Sequence, residues 1–299
     1  MQNAIRLVLG TVQLGMPYGI ANKTGQPDLS TSQAIIREAW KHGIREFDTA
    51  QSYGKSVEVL GYCLSQLEIS KDALVTSKFD PSLNHLSRKE LSNALDESLA
   101  LLHISKLAGI MLHREEHLDL WEKGLKEIIL GFVKEGRVDR VGVSVYSPKK
   151  ALQALESAGI DMVQFPTNIL DRRFVDAGVF DLARKKGKEL YIRSVFLQGL
   201  LLMDREQLPV EMNNIARPVL EKLEFVIKEF NLTRQELALG YVKTQFPEAK
   251  IIFGAETVGQ VKENVGFWNS NLPQTVIERL HQAFESVDRR ILNPVLWAK

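Results

Sequence analysis

The sequence holds one cysteine, Cys63, among 299 residues, so an intrachain disulfide and a thiolate-ligated zinc site are both excluded. Cys63 lies in the apolar stretch Leu60 to Leu67, where a thiol is expected to behave as a small hydrophobe. Charge of one sign is also missing: 38 basic residues face 37 acidic ones, net +1, so no overall positive field exists to hold a nucleic acid. The densest basic run, Arg184-Lys185-Lys186-Gly187-Lys188, falls where a helix should end before a strand, and favourable charge at a helix C-terminus accounts for it. No run of 18 apolar residues occurs, and Met1 to Ala4 carry no charged-then-apolar leader pattern. The expectation is a cytoplasmic protein with no membrane partner. No linker-like or low-complexity stretch divides the chain, so residues 1–299 are expected to form one domain. A GxGxxG motif after a strand is absent too, which removes the glycine-rich phosphate cradle of doubly wound dinucleotide folds.

What is present is the composition of a large buried core, 44% hydrophobic and 25% charged. Short β-rich apolar runs occur at Ile5 to Gly10, Arg45 to Asp48, Leu74 to Lys78, Gly109 to His113, Val141 to Ser144, Met162 to Phe165, Leu190 to Ser194 and Lys250 to Gly254. Helix-period segments with start signals separate most of them: Ser30 or Thr31 before Ala34 to His42, Ser87 before Leu91 to Leu102, and Ser147-Pro148 before Ala151 to Ala158. The last gap holds two helical patterns, Asn214 to Phe230 and Arg234 to Gln245, the second opened by a Thr233/Glu236 capping box. Eight alternating units whose strands are apolar on both faces predict an α/β fold closed as a (β/α)8 barrel.

Such barrels keep their chemistry at the C-terminal strand ends. Three consecutive strands end in polar residues, Asp48, Lys78 and His113, and the turn after the second carries Tyr53 beside Gly54. The group suits carbonyl reduction, because a carbonyl that receives hydride needs a proton from a positioned acid. Tyr53 is the natural donor. A neighbouring ammonium, Lys78, is expected to lower its pKa, with Asp48 offsetting the lysine's charge and His113 donating to the substrate oxygen. Each residue alone has an ordinary structural explanation, as a cap, a rim aromatic, a solvated charge or a loop histidine; four together at adjacent strand ends do not.

The run from Gly43 to Gly54, with Glu58 and Leu60-Gly61 after it, resembles the aldo-keto reductase signature around its aspartate and tyrosine. Val75 to Lys78 and Ile110 to His113 resemble the segments bearing that family's lysine and histidine, and the likeness runs from Leu7 to Val265. The resemblance implies the barrel, the tetrad Asp48, Tyr53, Lys78 and His113, and NAD(P)(H)-dependent conversion between an aldehyde or ketone and an alcohol. It also implies a dinucleotide lying across the barrel mouth. The implied contacts are Gly10, Thr11, Val12 and Asp48; Ser144 and Gln164 on the carboxamide; Asn168 at the rim; and Arg193, Ser194, Phe196, Gln198 and Gly199 after strand seven. Gly254, Ala255, Glu256, Thr257, Gln260, Glu263 and Asn264 complete the set at the adenosine end. The chain departs from the family in having Val145 after the serine and Arg193 where a ring-stacking tyrosine is common. It also has Gly254, Glu256 and Gln260 where basic residues often hold a 2′-phosphate. The resemblance puts NADP(H) slightly ahead, whereas Glu256 favours the free ribose of NAD(H).

The expected partner is a small carbonyl or alcohol, with Tyr18, Tyr53, Phe79 and His113 around it and Phe196 and Trp297 as further walls. The loops Phe79 to Ser87 and Arg114 to His117 and the tail Arg289 to Lys299 read as short, which implies an open pocket. Three other readings stay open at this point. Lys78 could be a Schiff-base nucleophile of an aldolase; Asp48, His113, Glu115 and His117 could ligate a hydrolytic metal; or the chain could bind cofactor as a redox sensor with little turnover.

Overall fold

The computed structural model describes residues 5–268 and 271–297. Met1 to Ala4 and Ala298-Lys299, which entered the leader and tail readings, lie outside the described residues. Within them eight parallel strands close a barrel in chain order: β1 (Leu7–Gly10), β2 (Glu46–Asp48), β3 (Leu74–Lys78), β4 (Gly109–Leu112), β5 (Val141–Ser144), β6 (Met162–Pro166), β7 (Glu189–Arg193) and β8 (Lys250–Gly254). Pairing of β1 with both β2 and β8 completes the ring. Helices α1 (Val12–Gly15) and α2 (Leu29–Lys41) lead to β2, α3 (Ser56–Gln66) to β3, α4 (Arg88–Leu102) to β4, and α5 (Leu125–Lys134) to β5. Next, α6 (Pro148–Glu156) leads to β6, α7 (Arg173–Asp176) and α8 (Val179–Lys186) to β7, and α9 (Asn213–Phe230) and α10 (Arg234–Gln245) to β8; α11 (Val258–Trp268) and α12 (Gln274–Ala283) follow. No described helix is long and apolar enough to cross a membrane.

Strand parity sorts the core into two bodies. Leu7, Leu9, Phe47, Val75, Ile110, Val143, Val163, Phe165 and Ile251 point outward into the large cluster under the helices. Val8, Met111, Met162, Tyr191 and Ile252 form a separate cluster inside the barrel. Both faces of β1, β4, β6 and β8 are therefore apolar in mid-barrel, which is why these strands read as continuous runs. Below the inner cluster lies an ionic floor: Arg140 makes two bonds of 2.7 and 2.6 Å to Glu189, Lys250 pairs with Glu46 and Glu189, and the Tyr191 hydroxyl donates to Glu46 at 3.1 Å.

Local signals account for several helix starts. Ser87 and Ser147 each accept a backbone N–H as N-caps, Pro148 stands at the first position of α6, and the Thr233/Glu236 capping box opens α10. At α2 the cap is Asp28 rather than Ser30 or Thr31: its carboxylate accepts from Thr31 N at 2.7 Å, so the helix starts earlier. The basic run does end α8, capped by Gly187 at φ 64°, with Arg184 bonded to Glu248 and Lys186 to Glu156. Cys63 is buried and free. After β4 the chain forms a 3₁₀ segment, Glu115–Lys123, instead of the short loop expected.

Candidate active site

Asp48 and Lys78 end neighbouring strands on the same lumen-facing parity, so their side chains meet. The Lys78 ammonium donates to both Asp48 oxygens, at 2.6 and 2.7 Å, and to the Thr49 carbonyl at 3.1 Å. Gln164 Nε2 donates to Asp48 Oδ2 at 2.9 Å, and Ser144 donates to Gln164 Oε1 at 3.3 Å, so one hydrogen-bonded chain runs from β5 to β3. Burial lowers the pKa of Lys78, and the Asp48 carboxylate offsets part of that.

Tyr53 sits on a turn held from both sides. Tyr53 N donates to Ala50 O and Lys55 N to Gly15 O. Gly15 is obligatory here, since a Cβ on it would lie 2.0 Å from the Tyr53 carbonyl oxygen. The Tyr53 ring stands 5.1 Å from Lys78 Nζ and edge-on to His113, with centroids 5.5 Å apart at 82°. The pKa depression expected from Lys78 is not found. Burial raises the Tyr53 pKa, the Asp48 carboxylate raises it further, and Arg193 acts against them, because the lysine charge is already matched by Asp48. His113 lies one residue beyond β4, not within it, and its Nδ1 is 3.0 Å from Ser52 Oγ. Burial first, then Lys78 and Arg193, push its pKa down to about 3, so the ring is neutral at ordinary pH.

Above these groups runs a cleft of about 360 Å³. It reaches from Asp48, Tyr53 and Tyr18 past Arg193, Ser194, Phe196, Gln198 and Gly199 to Gly254, Glu256, Gln260, Glu263 and Asn264, with Gly10, Thr11 and Val12 along its other wall. The loops after β1 and β7 meet across the mouth, where Ile20 N donates to Gln198 O at 3.0 Å. Ser194, Leu197 and Gln198 all have positive φ, so the β7 loop is held in a strained curl beside the cleft.

Several implied contacts have other uses. Ser144 and Gln164 lie buried in the chain to Asp48 and do not line the cleft. Thr11 donates to the Asp48 carbonyl at 3.0 Å and shares a 2.7 Å bond with Ser56. Asn168 donates to Ser194 O and accepts from Leu170 N, shaping the rim backbone. Gln260 accepts from Glu256 N and Thr257 N while Thr257 accepts from Gln260 N, a reciprocal cap on α11. Ala255 is buried in the outer core. Val145 is also fully buried there.

Two expected pocket walls are corrected. Phe79 follows the lumen-facing Lys78 and therefore points outward, fully buried against Phe132 and His85. Trp297 is buried in the outer core, its Nε1 donating to Arg290 O at 3.0 Å, and does not line the cleft. A contact that the sequence did not reveal is Gln13, whose Oε1 is buried without a hydrogen-bond partner in the cleft wall. A Cβ on Gly254 would lie 2.3 Å from that oxygen, so the glycine is what lets the amide stand there. The unpartnered amide and the glycine cradle fit a long, polar, many-donor ligand such as a dinucleotide.

The rival chemistries lack their geometry. Lys78 has all three N–H donors engaged and no exposed surface, which leaves no free amine for a Schiff base. Glu115 accepts from Tyr146 N, Ser147 N and the Ser147 hydroxyl, and His117 stacks on His85 at 3.7 Å, so neither joins Asp48 and His113. Among the described residues no group of three or more His, Cys, Asp or Glu is placed to hold a metal.

The sequence profile of the Aldo/keto reductase family matches residues 6–285. The chain is 24% identical over 316 residues to the NADH-specific methylglyoxal reductase of Escherichia coli (strain K12), covering 95% of this chain and 96% of the relative. It is 24% identical over 277 residues to the L-glyceraldehyde 3-phosphate reductase of the same strain, covering 81% and 80%. Among solved structures, the glycerol dehydrogenase of Gluconobacter oxydans superposes with a TM-score of 0.75 at 20% identity, covering 98% and 95% of the two chains. The holo form of an aldo-keto reductase from Bacillus halodurans gives 0.74 at 19%, covering 96% and 95%. The chain belongs to the aldo-keto reductase family, and is a pyridine-nucleotide-dependent oxidoreductase that interconverts a carbonyl and an alcohol.

Proposed function

We propose that this enzyme reduces a small, oxygen-rich aldehyde or ketone with NADH, using Tyr53 as the acid. The observation that carries the reading is the stack of Lys78 and Asp48 beneath Tyr53, with His113 edge-on to it, at the foot of the long cleft. A bound nicotinamide supplies hydride to the carbonyl carbon. Tyr53, with its pKa raised, stays protonated and gives its proton to the developing alkoxide. Lys78, fixed by Asp48, stands 5.1 Å from the phenol ring, and the Arg193 charge, which favours the phenolate, eases the build-up of negative charge on the tyrosine oxygen. Neutral His113 accepts from Ser52 at Nδ1, which leaves Nε2–H to donate to the substrate oxygen.

Support for NADH comes from the far end of the cleft, where Glu256 and Glu263 are lining residues and no lysine or arginine joins them among the described residues. A 2′-phosphate would meet like charge there. Similarity to an NADH-specific methylglyoxal reductase points the same way, and with a glyceraldehyde 3-phosphate reductase and a glycerol dehydrogenase it supports a small substrate. The test is Tyr53→Phe. Carbonyl reduction should fall by at least about 100-fold, while NADH affinity, read by fluorescence titration, stays nearly unchanged. Retained reduction above about a hundredth of the wild-type rate would remove Tyr53 as the acid.

A further inference from the structure

We propose that Arg193 makes the cleft a selector of nicotinamide redox state: its unpaired guanidinium, stacked on Tyr146 at the reacting end, favours the uncharged reduced ring over the cationic oxidised one. The inference rests on the reading of the cleft as a dinucleotide site with its hydride chemistry at Tyr53.

Arg193 closes β7 on the same parity as Tyr191, so it projects into the barrel mouth. Its guanidinium carbon lies 4.1 Å from the centre of the Tyr146 ring. Its hydrogen bonds are long, 3.3 Å to Ser194 Oγ and 3.4 Å to Val145 O, and no carboxylate of the described residues forms a salt bridge with it. A half-buried guanidinium without a counter-ion is unusual. It is also the one cation among the described residues lining the cleft. Asp48 is matched by Lys78, and Glu256 and Glu263 belong to the β8 loop and α11. Its charge is close enough to favour the phenolates of Tyr18 and Tyr53 and to disfavour the charged forms of Lys78 and His113, with burial the larger cause in each case.

Hydride transfer changes the charge of the ring. When the reduced ring gives hydride to the carbonyl carbon and Tyr53 gives its proton to the carbonyl oxygen, the neutral dihydropyridine loses two electrons and becomes a cationic pyridinium. A ring that exchanges hydride with a carbonyl held by Tyr53 must lie within reach of the Arg193 charge. Coulomb's law at about 5 Å, with an effective dielectric constant of about 40, disfavours the cationic ring by roughly tenfold or more. The reduced cofactor is then captured at low concentration, and the oxidised product leaves readily. A guanidinium here could instead neutralise the pyrophosphate, which both redox forms share, and the experiment separates the two.

NADH, NAD⁺ and ADP-ribose, which lacks the nicotinamide, are titrated by calorimetry against the wild-type protein, Arg193→Gln and Arg193→Lys. The wild type should bind NADH at least about tenfold more tightly than NAD⁺. Arg193→Gln should bring that ratio within about threefold by tightening NAD⁺, with ADP-ribose unchanged as the check on folding, and Arg193→Lys should keep most of the discrimination. An unchanged ratio in Arg193→Gln, or equal weakening of all three ligands, overturns the proposal while leaving the cleft a dinucleotide site. Failure of the wild type to bind any of the three overturns the reading of the cleft itself.

Discussion

The buried pair under Tyr53 makes a quantitative prediction about charge. Lys78 has no exposed side-chain surface and Asp48 only 6%, and each is the other's sole counter-charge at hydrogen-bond distance. Lys78→Met leaves the Asp48 carboxylate with the single side-chain donor Gln164; Asp48→Asn leaves a buried ammonium facing neutral oxygens. Removing one partner of such a pair costs about 3–5 kcal/mol, because the remaining charge keeps its desolvation penalty. At about 2–4 °C per kcal/mol for a protein of this class, each single variant should melt roughly 6–20 °C lower. The double variant removes both charges, and the asparagine amide oxygen can still accept from Gln164. It should recover to within about 2 kcal/mol of wild type, far from the roughly 6–10 kcal/mol that independent sites would give. Urea unfolding followed in parallel by tryptophan fluorescence and far-ultraviolet circular dichroism provides the four corners of the cycle. Carbonyl reduction should stay low in the double variant, since the phenol has lost the charge beneath it, and Asp48→Asn should be the milder single change for activity. A double variant as unstable as the sum of the singles would refute the argument that uncompensated charge, not lost packing, sets the cost.

At the other end of the cleft, Glu256→Arg should tighten NADPH by at least several-fold and leave NADH within about threefold, on a repulsion of order 1 kcal/mol at about 5 Å. The NADPH gain should shrink as salt rises; equal responses of both cofactors would mean that Glu256 does not face the ribose. The acid side of the pH profile follows from His113, whose pKa is pushed down to about 3. The neutral form persists as pH falls through the ordinary histidine range, so kcat/KM for reduction should show no limb near 6.5. A limb there that vanishes in His113→Asn would assign a normal histidine to the site.

Much of the architecture was legible because each strand is enclosed on both sides, by helices outside and by Val8, Met111, Met162 and Ile252 within. Continuous apolar runs are the direct result. Asp48, Lys78 and His113 were legible for the complementary reason, as polar ends to those runs, and Tyr53 by its place on the turn after the second. Phe79 was misread although parity contains the answer: it directly follows Lys78, and successive strand side chains point opposite ways. Gln13 had no signal of its own, since its place in the wall depends on Gly254 leaving room from another strand. The Tyr53 pKa was misread for a different reason. Residue types say which charges are near, but only geometry says that Lys78 is matched by two Asp48 oxygens. The start of α2 moved because Asp28, Ser30 and Thr31 are all competent caps and only one can precede the first turn.

The inner cluster of Val8, Met111, Met162 and Ile252 has an electrical consequence: its thickness keeps two ionic compartments apart. The groups acting most strongly on Tyr53, Lys78 and His113 are drawn from the upper compartment and its rim. Those acting on Tyr191, Glu189 and Arg140 come from the floor: Glu46, Lys250 and one another. The floor is therefore free to be rebuilt for stability by swaps that keep its net charge, with the main electrostatic partners of the proton chemistry above left in place.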